Sequence, residues 1–394
     1  VCEKSEGVKS VAIRRRKKQA EYFFDYTLLF IVLFLLGFGL IMVYSTSSYE
    51  ASMTASLNYD EAYYLKHQAA AAALGLVAMM VVSRIPYHFW EPFALLGYLV
   101  SAVLIALVMT PLGITANGAT RWLNLGVSVQ PAEIAKLCMI LFLASFICKM
   151  GKGIRSFKGF LLVLLIPVPI CVMVWQITDN LSSAIIIFGI AFLMLFVASP
   201  EYKRFLLMGA AGIAGAALLV FVILQMDSSS LDFRGNRILA WLNPEDYATG
   251  TGFQTLQSLY AIGSGGIFGK GLGQSIQKLG FLPEAQNDMI FSIICEELGL
   301  FGGIAVILLF ILLCWRFMVI ANNAPDLFGA LLVVGVMGHI AIQVILNIAV
   351  VTNTIPNTGI SLPFFSYGGS SLMILLAEMG VVLSISRTST IEKT

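Results

Sequence analysis

Long apolar runs separated by short polar breaks dominate the chain, and that pattern predicts helices that cross a membrane rather than a soluble core. A bilayer core of about 30 Å takes roughly 20 apolar residues per helix. Runs of that kind fall near 26–47, 67–84, 90–110, 131–149, 157–176, 181–198, 205–226, 289–320, 327–350 and 367–386. The eighth is too long for one perpendicular crossing, so it is expected either to tilt strongly or to extend past the membrane at one end. The predicted fold class is all-α, a polytopic membrane protein of about ten transmembrane helices.

The breaks between runs set the organisation. A basic tail is expected over 1–25, a ten-helix membrane domain over 26–386 and a short tail over 387–394. One break is much longer than the rest, a large extracytoplasmic loop over 227–287. Inside it Phe253, Leu256, Leu259 and Tyr260 recur at helical spacing, which predicts a short amphipathic helix resting at the membrane interface. Gly263 to Gly273 then holds six glycines and is expected to be a loop. A phosphate-loop reading of that stretch fails, because Ser264 stands at the first glycine position and Gly271 follows Lys270. Those glycines instead let the backbone approach a substrate or a neighbouring helix.

Charge gives the orientation. A cytoplasmic N-terminus puts 17 of the 24 Lys and Arg inside, among them Arg14, Arg15, Arg16, Lys17 and Lys18, then Lys149, Lys152, Arg155, Lys158, Lys203, Arg204 and Lys393. That is the positive-inside pattern, and both termini are then cytoplasmic. The first apolar run, beginning near Tyr26, outlasts a signal-peptide core and is expected to remain as the first anchor. Trp90, Trp122, Trp175 and Trp315 stand at or near predicted span ends, as interfacial belts do.

Composition agrees with lipid as the solvent: of 394 residues, 58% are hydrophobic and only 12% charged. A formal net charge of +2 gives nucleic-acid binding no support. Five of the six cysteines lie in apolar runs without C-x-x-C spacing and read as free thiols. The three histidines, His67, His88 and His339, have no metal-ligand spacing.

Ionisable residues inside apolar runs need a reason, since a central charge costs roughly 2.5–3.5 kcal/mol on insertion scales. Glu133 and Lys136 stand at i, i+3 on one helix face and can pair, as a neutralising couple or as a functional one. Glu296, Glu297, His339 and Glu378 read mainly as buried hydrogen-bonding groups between helices. Asp288 differs, standing where the long loop meets a span beside Glu284, Gln286 and Asn287. It is either a first-turn acid favoured by the helix dipole or a carboxylate that sees both water and headgroups. Lys270, Lys278, Arg234 and Arg237 share that face, as headgroup anchors or as a phosphate-holding surface.

Three ordered stretches carry a family likeness. They are Gly118–Gly126 followed by Gln130-Pro-Ala-Glu-Ile-Ala-Lys136, then Gly252-Phe-Gln through Leu282-Pro-Glu-Ala-Gln-Asn-Asp288, then Ile355-Pro356 through Leu362-Pro-Phe-Phe-Ser-Tyr-Gly-Gly-Ser-Ser371. Together they resemble the SEDS family (shape, elongation, division and sporulation), the peptidoglycan glycosyltransferases that include FtsW, RodA and SpoVE. The basic tail, Asp25-Tyr-Thr-Leu-Leu and Leu282-Pro-Glu-Ala285 resemble FtsW or SpoVE more than RodA. Departures are Asn287 and Met289, where the family's acidic motif usually has Thr and Phe, and His67, where the second span usually has Arg.

The resemblance implies polymerisation of lipid II in septal wall synthesis. A sugar C4 hydroxyl attacks C1 of the growing chain and displaces undecaprenyl pyrophosphate with inversion. It implies Asp288 as general base, with Arg121, Glu133 and Lys136 as substrate or pyrophosphate contacts and Lys278 and Glu284 as weaker ones. The Pro363–Ser371 stretch, with Ser366 and Ser370, is either scaffold or substrate groove. No organic cofactor is implied, and a divalent cation, Mg²⁺ or Mn²⁺, is a candidate for meeting pyrophosphate charge. The implied partners are lipid II, a class B penicillin-binding protein and other division membrane proteins, in a bacterial inner membrane. The competing readings are a transporter that flips the lipid-linked precursor and a non-catalytic division scaffold.

Overall fold

A computed structural model of the chain describes residues 24–116, 118–124, 126–225 and 233–388. The basic run Arg14–Lys18, Lys393, most of both expected tails and the side chain of Arg234 lie outside what it describes.

Among the described residues, ten helices are long and apolar enough to cross a membrane, and each overlaps one predicted run. They involve α1 (Tyr26–Met53), α2 (Tyr63–Val82), α3 (Ala94–Leu107), α4 (Pro131–Met150), α5 (Phe157–Leu165), α6 (Val168–Thr178), α7 (Leu181–Ala198) and α8 (Tyr202–Leu224). After the short α9 (Phe233–Leu242) and α10 (Phe253–Gly265) come α11 (Ile290–Asn322), α12 (Leu327–Val351) and α13 (Gly369–Thr388). Side-chain caps fix several starts: Asp25 accepts from the amide of Leu28, Ser156 from Gly159, Asn180 from Ser183 and Asp326 from Gly329. Asp25 also pairs with Arg316, tying the start of α1 to the last turns of α11. The fifth span is two helices, α5 and α6, because Pro167 at their junction has no amide proton to continue the ladder.

The all-α prediction describes the membrane body, but residues 113–129 add a small antiparallel sheet at one end. Its strands are β1 (Gly113–Ala116), β2 (Ala119–Asn124) and β3 (Ser128–Val129), in that order across the sheet. Strands this short leave no alternation long enough to stand out beside helical runs.

Length alone left the eighth span ambiguous, and a break at Gly299 (φ 68°, ψ −164°) accounts for it. The break frees main-chain groups of α11, and the glycine-rich loop takes them up. Lys270 and Gly271 donate to the carbonyls of Glu296 and Glu297 at 3.0 and 2.9 Å, and Leu300 donates to Gly266 at 2.9 Å. In a membrane such groups must be satisfied within the protein. A Cβ on Gly269 would lie 2.2 Å from the Glu297 carbonyl oxygen, so close approach to a helix is what these glycines allow.

The helix expected near 253–260 is α10, but it turns a different face inward. Thr255, Ser258, Ala261 and Gly265 are buried, while Tyr260 is exposed. Small polar residues let it dock closely, and the Ser258 and Ser292 hydroxyls meet at 2.6 Å. At the centre stand α12 and α13, whose spans are the most buried. The α8 span has no buried residue within its most apolar stretch.

Candidate active site

Asp288 sits immediately before α11, at the end of the bundle that also carries the sheet and the segment 352–368. The side-chain amide of Gln254, in the first turn of α10, lies 3.4 Å from Asp288 Oδ1, and Asn357 donates to Gln254 Oε1 at 2.8 Å. Gly359 faces Oδ2 so closely that a Cβ there would lie 3.5 Å from it. The main chain of Asp288 is fixed by Asn347 of α12, which donates to its carbonyl at 2.7 Å and to that of Ile360 at 2.6 Å.

Burial pushes the Asp288 carboxyl up to about 7, and the negative charge of Glu284 adds to this; its own amide and the Arg237 guanidinium act in the opposite sense. Glu284 is therefore brought to the site, where it accepts from Asn287 Nδ2. Arg237 reaches the same corner and donates to the Asn357 carbonyl at 3.2 Å.

Glu133 and Lys136 pair at 2.7 Å in the first turns of α4, both buried. Their link to Asp288 runs through α12. Lys136 Nζ lies 3.3 Å from Gln343 Oε1, and Gln343 donates to the Ser361 carbonyl and hydroxyl at 3.0 and 3.1 Å. One helical turn beyond, Asn347 holds Asp288. One turn before it, His339 Nδ1 meets Glu378 Oε2 at 2.9 Å, while His339 Nε2 and Glu378 Oε1 lack partners among the described residues. His339, Gln343 and Asn347 thus form one polar stripe at four-residue spacing, each gripping a different element. A cavity of about 30 Å³ beside the stripe, lined by Glu133, His339, Gln343 and Ser366, has room for a water or two.

The other predicted residues are placed differently. Arg121, on β2, donates to the Asp179 carbonyl at 3.0 Å and so ties the sheet to the α6–α7 turn, while its Nε is buried without a partner among the described residues. Ser366 donates to the Asn287 carbonyl and accepts from the Leu362 amide, both at 2.6 Å, so its hydroxyl joins the Asp288 loop to the segment before α13. Ser370 lies in the first turn of α13, half-buried. Lys278 is not brought to Asp288: it is buried, with its ammonium 2.7 Å from Glu297 and 3.0 Å from Ser45 of α1. Beside it Lys270 pairs with Glu296 at 2.7 Å. These two couples fasten the long loop to α11, so Lys278 has a structural partner in place of an open face toward Asp288.

Gln254, Asn347, Asn357 and Gln343 escaped the sequence reading. Gln343 and Asn347 carried a signal, two amides one turn apart inside an apolar run, where an unpaired polar group is costly. Gln254, at the start of α10, and Asn357, in the segment before α13, lie inside the stretches that carry the family likeness, but nothing local in sequence marks them as partners of Asp288. Among the described residues no group of three or more His, Cys, Asp or Glu side chains converges to hold a metal ion. The described residues thus offer no cage of their own for a divalent cation.

The chain matches a cell cycle protein family, FtsW/RodA/SpoVE, over residues 26–391. It is 42% identical to stage V sporulation protein E of Bacillus subtilis over 369 residues, covering 93% of this chain and 97% of that one. It is 39% identical to a probable peptidoglycan glycosyltransferase FtsW of Trichlorobacter lovleyi, covering 95% of each. Among solved structures it resembles a chain of a peptidoglycan synthase complex that coordinates polymerisation and crosslinking, with a TM-score of 0.75 at 27% identity over 92% of this chain and 98% of that one. It also resembles the rod shape determining protein RodA of Thermus thermophilus, with a TM-score of 0.64 at 26% identity over 94% and 98%. A ten-span bundle with Asp288 at one end, matched over nearly its whole length, belongs to the FtsW/RodA/SpoVE family of multi-pass membrane proteins.

Proposed function

We propose that this peptidoglycan glycosyltransferase polymerises lipid II, with Asp288 as the general base, on the extracytoplasmic face. A sugar hydroxyl is a weak nucleophile near neutral pH, and a positioned carboxylate that takes its proton accelerates attack by roughly 10²–10⁴-fold. The observation that carries the reading is the placement of Asp288 where the long loop meets α11, half-buried, with Gln254 3.4 Å from its carboxylate and its main chain held by Asn347. Burial pushes that carboxyl up to about 7, where it accepts a proton and still ionises at neutral pH. The C4 oxygen bonds to C1 as the C1–O bond to pyrophosphate breaks, and the hydroxyl proton passes to Asp288. Pyrophosphate leaves as a good leaving group, so inversion needs no second acid. Arg121 and Arg237 stand at the same end of the bundle to meet its charge.

The basic residues support the orientation. Lys149, Lys152, Arg155, Lys158, Lys203 and Arg204 gather at the end opposite Asp288, which the positive-inside rule makes cytoplasmic. Likeness to FtsW supports a place in septal wall synthesis and likeness to stage V sporulation protein E supports one in sporulation. Likeness to a chain of a complex that coordinates polymerisation and crosslinking supports a class B penicillin-binding protein as partner. Glu297 and His339 are each paired with a neighbouring side chain, Lys278 and Glu378, which supports a structural role for them over a flippase pathway.

The test is polymerisation of lipid II by the purified protein with its transpeptidase partner. Wild type is expected to make glycan strands and Asp288→Asn to make none while eluting as the same folded species. Full polymerisation by the Asn variant overturns the assignment of the base, and lipid II translocation without polymer overturns the enzyme reading.

A further inference from the structure

The end of the bundle opposite Asp288 has a cavity of its own, about 380 Å³, between the α4–α5 connection and the α7–α8 connection. Lys152 and Arg155 line one side, and Val197, Ser199 and Tyr202 line the other. No acidic residue lines it, and among the described residues neither Lys152 nor Arg155 has a carboxylate partner. Its shape is held from below by Arg204, which donates to the carbonyls of Arg155 and Ser156 at 3.1 and 3.5 Å and lies 5.4 Å from the centre of the Phe160 ring. That guanidinium is committed to joining the two connections, whereas Lys152 and Arg155 are exposed and uncommitted.

We propose that this cavity binds the phosphate of an anionic phospholipid headgroup from the adjoining leaflet. Basic residues in these connections are sufficiently explained by topology, but topology asks only for charge in the loop. It does not ask for two cations on the wall of an open groove to whose lining no carboxylate contributes. The opposite wall favours a lipid over a free anion. Val197 and Tyr202 are 53% and 63% exposed at the rim, an apolar lip suited to glycerol esters and acyl chains. The buried Ser199 hydroxyl accepts from the Glu201 amide at 3.4 Å, which leaves its proton available to a phosphate oxygen. The site is separate from the chemistry at Asp288 and does not depend on it.

The full chain, purified in micelles, is titrated with phosphatidylglycerol, phosphatidylcholine or inorganic phosphate, and bound lipid is counted by native mass spectrometry. Wild type is expected to retain phosphatidylglycerol in preference to phosphatidylcholine. The double variant Lys152→Gln/Arg155→Gln is expected to weaken that binding by roughly tenfold or more, because two charge-assisted contacts to one phosphate are lost. Lys158→Gln/Lys203→Gln removes the same charge outside the cavity, where it acts only through screened solvent, and is expected to change it by no more than about twofold. Equal losses in the two double variants reduce the effect to diffuse surface charge and overturn the proposal. So does protection by millimolar inorganic phosphate without retention of phosphatidylglycerol, which makes it a free-anion site.

Discussion

The side-chain amide of Asn347 holds the main-chain carbonyl of Asp288 at 2.7 Å while gripping Ile360 at 2.6 Å, so one residue of α12 sets the spacing between the two loops that frame the carboxylate. Asn347→Leu keeps comparable bulk and removes both bonds, leaving two carbonyls unpaired at about 1–3 kcal/mol each. A misplacement near 1 Å at a reacting group costs about 10²-fold in rate. Polymerisation by Asn347→Leu is therefore expected to fall about 100-fold in kcat, with lipid II KM changed far less. Steady-state kinetics check this, and a variant that loses affinity while keeping kcat contradicts it.

The raised carboxyl of Asp288 sets a pH dependence with a definite sign. The ionised form is the base, so kcat/KM is expected to rise with pH and level off above about 7. Glu284 raises the value by its negative charge, so Glu284→Gln eases ionisation and moves the acidic limb to lower pH. Arg237 acts the other way, and Arg237→Gln moves it to higher pH. Stability follows the same group. A folded-state value above the unfolded one, about 3.9, favours the fold at low pH, and that contribution is lost as pH rises through about 7. Asp288→Asn, always neutral, is thus expected to melt above wild type at alkaline pH and level with it under acid. Activity profiles of Glu284→Gln and Arg237→Gln test the first sign, and melting curves of Asp288→Asn at two pH values test the second.

The bundle was legible because lipid enforces long apolar runs, and the Glu133–Lys136 pair because i, i+3 spacing puts both on one helical face. Asp288 was legible as a place, the polar end of a long loop meeting a span. Its Gln254 and Asn347 partners were not, since contacts spanning 34 and 59 residues leave no local pattern. The same applies to Lys278, whose Glu297 and Ser45 partners stand 19 and 233 residues away. A lone cation at the mouth of a bundle looks the same in sequence whether it meets a substrate phosphate or a buried carboxylate. The break at Gly299 was equally hidden, because a glycine in an apolar run reads as a packing position until a loop is seen to take up the freed backbone.

The Lys278–Glu297 couple yields a stability test of its structural role. Removing one member of a buried pair leaves the other charge uncompensated, at roughly 3–5 kcal/mol, whereas replacing both with neutral groups of similar volume is often close to neutral. Lys278→Met and Glu297→Gln are each expected to lower the melting temperature markedly, and the double variant is expected to recover most of the loss. Detergent-solubilised protein followed by tryptophan fluorescence on heating measures this. If Lys278→Met melts like wild type yet loses lipid II affinity, Lys278 belongs to the substrate site after all.

Two glycines of the long loop, Gly263 and Gly269, are expected to respond in opposite ways. Gly269 has φ +78°, and a Cβ there would lie 2.2 Å from the Glu297 carbonyl and 2.6 Å from the Gly299 amide nitrogen. Gly269→Ala therefore combines left-handed backbone strain with a clash against main chain that cannot step aside. The loop must lift from α11, which leaves the main-chain groups freed at the Gly299 break unpaired in a membrane-embedded helix. Gly263 lies inside α10, where an added Cβ would meet nothing within 4 Å, and its φ is not positive. Alanine there reduces the freedom of the unfolded chain and stabilises by about 0.4–1 kcal/mol. Melting temperatures and folded yield are expected to fall for Gly269→Ala and to hold or rise for Gly263→Ala. Because Glu296 and Glu297 stand in the turns leading up from Asp288, the loss in Gly269→Ala is also expected to appear as reduced polymerisation, which ties the glycine run to catalysis through backbone packing rather than through phosphate binding.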